Sequence, residues 1–260
     1  NVAKKEHESI KTALRNAGVK IVEQPSPVDC QDGVYTANWA FCGEDIYGEE
    51  VAVMSRLPNV RRDEEPDARR ILKEMGKRII VPKWQRFSGQ GDALACGDRL
   101  FLGQRYRTDK EMKGLMERTF KNRYDVIDVH TIPRLDNDQQ PMRNKLSGWP
   151  DSYFYDIDLA IGVVQPDLIA WCPEAFLPES QEKIRNIEGL RKIEVDINEA
   201  LGVFACNFIS TGDTVIMGKG APKLRNQISK HGLSSVALGI PELQKGGGSV
   251  RCVTLTLDNE

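Results

Sequence analysis

Near the end of the chain stands the run Gly246-Gly247-Gly248-Ser249-Val250-Arg251-Cys252. Consecutive glycines let a backbone approach another group closely, and their amides can form a nest of donors. A cysteine held just past such a turn faces whatever the turn approaches, and its thiolate is a strong nucleophile. The same residues also read as a flexible turn entering a strand with a buried cysteine, the commoner outcome for an isolated triple glycine. Other proton-moving or metal-binding side chains are scarce. The chain has 3 histidines, His7, His130 and His231, none at ligand spacing from another or from a cysteine. No metal site is therefore expected. No cofactor is expected either: Gly89-Gln90-Gly91-Asp92 lacks the strand–turn–helix setting and the third glycine of a dinucleotide fingerprint. The remaining cysteines, Cys30, Cys42, Cys96, Cys172 and Cys206, show no C-x-x-C pair and read as small buried thiols in a reducing compartment.

The elements that must position these residues alternate between short apolar strands and polar helices. Helical spacing predicts helices over Glu6–Asn16, Glu64–Met75, Asp109–Lys121, Asn198–Val203 and Pro222–Lys230, with Gly18, Gly76 and Gly232 as stops. Strands are predicted over 19–22, 34–38, 50–54, 78–81, 125–132, 154–164, 168–172, 192–195, 236–238 and 250–257. Hairpins are expected around Cys96-Gly97-Asp98 and Thr211-Gly212-Asp213. A strand–helix–strand–hairpin unit recurs roughly every 50 residues without a strict sequence repeat. With no linker or low-complexity tract, residues 1–260 are expected to form one α/β domain. Residues 135–150 stand out as a polar inserted loop.

Composition narrows the function classes. Of 260 residues 40% are hydrophobic and 28% charged, enough for a core and unlike a disordered chain. Lys plus Arg is 36 and Asp plus Glu 38, a formal net charge of -2, so direct nucleic-acid binding is not expected. No apolar run approaches the ~20 residues of a membrane span; the best, 159–171, is interrupted by Pro166 and Asp167. The run Arg61-Arg62-Asp63-Glu64-Glu65 reads as a solvated helix start, and His7 as a solvent-facing residue of the first helix. With no export signal at Asn1, the expected location is intracellular: cytoplasmic, or mitochondrial where a transit peptide has been removed.

Five segments occur in order: Asp32-Gly33-Val34-Tyr35-Thr36-Ala37-Asn38, Gly89-Gln90-Gly91-Asp92, Arg107-Thr108-Asp109, Phe154-Tyr155-Asp156-Ile157-Asp158 and the Gly-Gly-Gly-Ser-Val-Arg-Cys end. Together they make the chain resemble the guanidino-group-modifying, or pentein, superfamily over residues 5 to 257, most closely its arginine dihydrolase and dimethylargininase-like branch. The resemblance implies a five-bladed α/β propeller of ββαβ-like units around a polar pocket. It implies Cys252 as the nucleophile that attacks a guanidinium carbon, and Asp158 as a carboxylate that binds the guanidinium. By the same resemblance Asn38, Asp92 and Asn207 line the substrate, and Arg107 holds a substrate carboxylate. A planar cation matched by carboxylates and attacked by sulfur is chemically coherent. The implied partner is an arginine-like small molecule.

Two positions depart from that pattern. The glutamate of the family's E-G-x-G-D is Ser88, and the histidine of its Y-H-x-D is Asp156. Arg105 replaces a usual glycine, the usual first strand is not present ahead of Asn1, and the 135–150 loop is longer. The number of acids is kept, but a proton shuttle titrating near 6.5 becomes one near 3.9 in water, and anions beside a thiol oppose thiolate formation. His130, in a strand, reads as structural, and His231 sits at a helix C-terminus. Three functions follow: an active amidinohydrolase converting arginine to ornithine or citrulline, or dimethylarginine to citrulline; an impaired or inactive relative serving as a structural or regulatory subunit that meets other proteins through the 135–150 loop; and a guanidino sensor.

Overall fold

Four apolar runs lack the alternation of a half-exposed strand, and each becomes the middle strand of a three-stranded sheet. In a computed structural model, which describes residues 2–25, 30 and 32–258, α1 (Val2–Asn16) comes first. The first unit is β1 (Ala40–Glu44), β2 (Glu50–Met54), α2 (Glu64–Glu74) and β3 (Arg78–Ile80). The second is β4 (Ala93–Cys96), β5 (Arg99–Gly103), α3 (Met112–Thr119) and β6 (Asp125–Val129). The third is β7 (Ile161–Gln165), β8 (Leu168–Trp171), α4 (Pro178–Arg185) and β9 (Arg191–Glu194), followed by the short α5 (Ile197–Val203). The fourth is β10 (Ile209–Ser210), β11 (Thr214–Gly218), α6 (Pro222–Lys230) and β12 (Ser234–Leu238); α7 (Pro241–Gln244) then leads into the triple glycine.

Each unit has the same wiring. A hairpin pairs the first two strands antiparallel, and the helix carries the chain back so that the third strand pairs parallel with the second. Val53, for example, faces Phe41 on one side and Ile80 on the other. The middle strands are buried on both faces: in β2, for example, Ala52 and Met54 pack on the stripe of α2, while Val51 and Val53 pack on the second unit. In α2, Ala68, Ile71 and Leu72 form the buried stripe, and Glu64, Glu65 and Asp67 lie in the first turn, where negative charge suits the helix dipole. The fifth sector holds the two ends of the chain. There α1 buries Ile10, Ala13 and Leu14 and packs on α7, β11 and β12. The Glu6 carboxylate accepts the backbone N–H groups of Glu242 and Leu243 at 3.1 and 2.9 Å. On the other side Leu255 and Leu257 pack against the first unit, and Lys77 Nζ donates to the Leu257 carbonyl at 2.8 Å. The expected α/β propeller of ββαβ units is therefore present, with four three-stranded sheets among the described residues.

The differences from expectation share a cause. Residues 34–38, 154–160 and 250–257 were expected as strand but are not: Thr36–Trp39 and Ile157–Leu159 are 3-10 turns, and 250–253 is a turn. The strand that pairs with β2 is Ala40–Glu44, not 34–38. These segments are apolar because they are buried at the axis, and a short buried turn carries the same residues as a short buried strand. Val19 and Ile21 pack on the main core, but no described strand pairs with 19–22. The helix α4, opened by Pro178, was not anticipated. Residues 135–150 contain neither helix nor strand, only isolated bridges between Leu135 and Pro141 and between Arg143 and Pro150.

The charged run 61–65 is not wholly solvated. Arg61 and Glu64 are 4% and 0% exposed. Arg61 Nε donates to Glu64 Oε1 at 2.7 Å and its second terminal nitrogen to Oε2 at 2.8 Å, a bidentate pair. Arg61 also reaches Asn38 Oδ1 at 2.8 Å and the Tyr35 carbonyl at 3.1 Å, and Trp39 Nε1 donates to Glu64 at 3.1 Å. The pair thus pins the first axial turn to the start of α2. Removing one partner strands the other without solvent, so Arg61→Ala is expected to destabilise the fold by about 3–5 kcal/mol in urea unfolding. Arg70→Ala, on the exposed face of the same helix, should leave the midpoint nearly unchanged.

Candidate active site

The turn that precedes the first strand of each unit ends at the propeller axis, and each delivers one polar side chain there. Asn38 comes from the turn before β1, Asp92 from the turn before β4, Asp158 from the turn before β7, and Asn207 from the bend before β10. Cys252 comes from the turn at 250–253. All five are buried, at 5% exposure or less. The triple glycine permits the last of these turns. A Cβ on Gly248 would lie 2.6 Å from Cys252 Sγ, and one on Gly247, which has φ +97°, would lie 2.6 Å from the Tyr155 hydroxyl. The glycines thus make room for Tyr155 and for the thiol itself.

One half of the cluster surrounds the sulfur. Cys252 Sγ lies 3.4 Å from Asp158 Oδ2, to which the thiol donates. Asn207 Nδ2 donates to Sγ at 3.2 Å and to the Asp158 carbonyl at 3.3 Å. Its Oδ1 accepts the backbone N–H groups of Ser249 and Cys252 at 2.8 and 3.2 Å, so one amide fixes both the thiol and the loop that carries it. Asp158 Oδ1 is buried with no hydrogen-bond partner, an acceptor left for something that enters the site.

The other half surrounds Asp156. Its Oδ1 accepts from Ser88 Oγ at 2.7 Å, and its Oδ2 accepts from Asn38 Nδ2 at 2.9 Å and from Arg107 at 3.2 Å. Asn38 also donates to Ser88 Oγ at 3.0 Å. The Arg107 guanidinium stacks on the Tyr155 ring, 4.0 Å from its centroid. Asp92 acts between neighbouring turns. Its oxygens accept Thr108 Oγ1 at 2.6 Å and the Ile157 N–H at 3.1 Å, which ties the second turn to the third.

Three carboxylates sharing a buried space make charge costly. Burial and the nearby Asp156 push the Asp158 carboxyl up to about 8, against the opposing pull of Arg251. Burial and Asp156 likewise hold Asp92 well above the ordinary carboxylate range. Burial, reinforced by Asp158 and Asp156, pushes the Cys252 thiol well above its usual value. The sulfur is therefore a thiol at neutral pH until a cation joins it. Burial works against the charge on Arg107, but Asp156, Tyr155, Asp92 and Cys252 together more than offset it and raise its pKa above the ordinary value. Among the described residues no group of three or more His, Cys, Asp or Glu side chains is placed to hold a metal ion.

The structure brings Asn38, Ser88, Asp92, Arg107, Asp156, Asp158, Asn207 and Cys252 into one connected network. Arg107 is turned inward to Asp156. Arg105 instead is exposed to solvent and has φ +92°, a left-handed conformation that favours glycine. His130 Nε2 meets Gln104 Oε1 at 3.3 Å and His7 is half-buried on α1, so the hydrogen bonds around Cys252 and Asp156 involve neither. Cys30 is only partly buried. Tyr35, Tyr155, Arg61 and the pair Gln90–Arg251 were not singled out by the sequence. Tyr35, Tyr155, Gln90 and Arg251 lie inside the quoted motifs and Arg61 inside the charged run, but spacing alone gives none of them a partner; Arg251, for instance, donates to Gln90 Oε1 at 3.4 Å.

Comparison with known proteins gives a consistent picture. The sequence model of the family described as N,N dimethylarginine dimethylhydrolase, eukaryotic, matches residues 1–258. The N(G),N(G)-dimethylarginine dimethylaminohydrolase of Mycobacterium tuberculosis is 29% identical over 226 residues, 87% of this chain and 66% of that protein. The bifunctional arginine dihydrolase/ornithine cyclodeaminase ArgZ of Synechocystis is 25% identical over 257 residues, 97% of this chain and 32% of that protein. The chain thus spans slightly under two thirds of the first relative and about a third of the second. In structure, the N-terminal domain of ArgZ, as a Cys-to-Ser mutant bound to substrate, superposes with TM-score 0.83 at 22% identity, covering 98% of this chain and 86% of that one. The Pseudomonas aeruginosa dimethylarginine hydrolase in complex with citrulline superposes with TM-score 0.75 at 20% identity, covering 97% and 87%. At those identities the structural likeness speaks for the fold, while the family's sequence match extends over nearly the whole chain: this protein belongs to the N,N-dimethylarginine dimethylhydrolase family of the pentein superfamily.

Proposed function

We propose that this protein is a degenerate guanidino-group hydrolase, one that keeps the nucleophile and acidic seat of its family but turns over arginine or methylarginines poorly or not at all, and that it serves as a structural or regulatory subunit of a larger assembly. The observation that carries the reading is the environment of Asp156. Both of its oxygens are engaged as acceptors, from Ser88, Asn38 and Arg107. It has no proton placed for a departing amine, and it adds negative charge beside a thiol that must ionise to attack. Addition of sulfur to a guanidinium carbon would still be geometrically reasonable, because Cys252, Asp158 and Asn207 remain in contact. What is missing is proton transfer on either side of that step, a contribution worth about 10²–10⁴-fold in rate. Residues 135–150, with Leu146 exposed at the mouth of the site, form the surface that would meet a partner protein. An active hydrolase is the second reading, favoured by the retained Cys252–Asp158 contact.

One assay separates the two. The protein, its Cys252→Ala variant and a Ser88→Glu/Asp156→His variant are incubated with arginine and with dimethylarginine, and ornithine, citrulline, ammonia and dimethylamine are measured. Wild type is expected to match Cys252→Ala, and the double variant to exceed it by about 10²-fold or more. Wild-type turnover that Cys252→Ala abolishes and that the double variant does not exceed would establish the active hydrolase instead.

The raised Asp158 carboxyl has a consequence for stability. Its folded value of about 8 lies above the 3.8 of a free side chain. Between those values the folded chain holds a proton that the unfolded chain releases, so stability falls as pH rises through the window. Asp158→Asn has nothing to titrate. Its stability relative to wild type should therefore rise between about pH 4 and about pH 8 and level off above, as read from urea midpoints. A difference independent of pH would show that Asp158 is ionised in the fold throughout.

A further inference from the structure

Beside Arg107 and Tyr155 the fold leaves a basin of about 410 Å³. Leu146, Trp149 and Tyr153 stand on its walls, and Arg107, Tyr155 and Gly247 also line it. Cys252, Asp156 and Asp158 do not line this basin; they are buried behind Arg107 and Tyr155. Arg107 belongs to both regions. Its side chain is 25% exposed and lines the basin, while one terminal nitrogen lies 3.2 Å from Asp156 Oδ2 and its guanidinium carbon sits over the Tyr155 ring, 4.0 Å from the centroid. The Tyr155 ring is itself fixed, because its hydroxyl donates to the Gly247 carbonyl at 2.5 Å. A carboxylate at the edge and an aromatic face beneath are the groups a protein uses to seat a guanidinium.

We infer that Arg107 is an internal surrogate ligand: its guanidinium occupies the seat for the cationic head of an external guanidino compound and closes the way from the basin to Cys252 until it is displaced. This deepens the function proposed above and rests on its reading of the cavity as a guanidino site. The seat is only half satisfied by Arg107. It pairs with Asp156, while Asp158 Oδ1, deeper in the cluster, has no hydrogen-bond partner. A free guanidinium is not tethered to the backbone of residue 107 and can lie deeper, between Asp156 and Asp158, gaining a second carboxylate. Displacement thus has a driving force that depends on a planar, multi-donor cation, and an ammonium or quaternary amine would not supply it. Arg107, once moved, swings into the basin.

The test is alkylation of Cys252 by iodoacetamide in the full chain at mildly alkaline pH, followed by peptide mass spectrometry, which separates it from the partly buried Cys30. Wild type, Arg107→Ala and Arg107→Lys are compared, each alone, with millimolar methylguanidinium chloride, and with sodium chloride at equal ionic strength. Arg107→Ala is expected to label at Cys252 about tenfold faster than wild type, the loss of one stacked and paired cation. Methylguanidinium should slow that labelling again, and sodium chloride should not. Arg107→Lys, which keeps the charge but not the planar fork, should label faster than wild type and carries the comparison if the alanine variant does not fold. Equal labelling in wild type and variants would overturn the inference. So would faster labelling that methylguanidinium slows no more than salt does. Turnover by wild type that depends on Cys252 would instead sink the impaired-enzyme reading, and leaves the labelling comparison to decide the role of Arg107 on its own.

Discussion

Burial of several acids around one sulfur is the constraint on which the rest of this structure depends. Asp92, Asp156 and Asp158 share a space from which water is largely excluded, and an uncompensated carboxylate there is expensive. The fold meets that cost in three ways. Protons are held on Asp158 and Asp92, donors are supplied by Ser88, Asn38 and Thr108, and a cation is supplied by Arg107. Each has a chemical consequence. Held protons keep the cluster near neutrality but leave the thiol un-ionised, and Asp156 is engaged by Ser88, Asn38 and Arg107.

The propeller makes such crowding possible because its turns converge while its strands diverge. Each middle strand is packed on both faces, so the turn just before its hairpin is held rigidly at the axis. Residues far apart along the chain then meet through hydrogen bonds that leave little freedom: Asn38 to Ser88 and Asp156, Asp92 to Ile157, Asn207 to Cys252. The buried Arg61–Glu64 pair extends this stiffness to the first turn. A seat of this kind discriminates by shape and charge, since it cannot adapt to a different ligand without breaking several contacts together.

The carboxylate at position 156 does more than accept hydrogen bonds from Ser88 and Asn38. It pairs with Arg107, whose guanidinium sits over the Tyr155 ring in the wall of the basin. On the reading proposed above, accessibility of the thiol and competence in proton transfer are linked through this one residue. The exposed apolar side chains Leu146 and Tyr153 stand around the basin that Arg107 and Tyr155 also line.

Much of this was legible in the chain. The doubly apolar strands, the hairpin turns and the amphipathic helices specify ββαβ units locally, because hydrophobic period and turn chemistry act over a few residues. The ordered motifs likewise named Cys252, Asp158, Asn38, Asp92, Arg107 and Asn207, and revealed Ser88 and Asp156 as the departures. Other features had no local signature. Segments 34–38, 154–160 and 250–257 carry strand-like residues because they are buried, and only their place at the axis makes them turns. Arg61 and Glu64 have the spacing of any surface helix pair until Asn38 and Trp39 close over them. That Arg107 faces inward to Asp156 while Arg105 faces solvent depends on a left-handed residue between strand and turn and on a Tyr155 ring brought from another unit. The amino-acid order by itself determined the units and the inventory of reactive groups. Tertiary structure alone decided which charges share a low-dielectric space, because that depends on distances between residues that propensity and spacing do not encode.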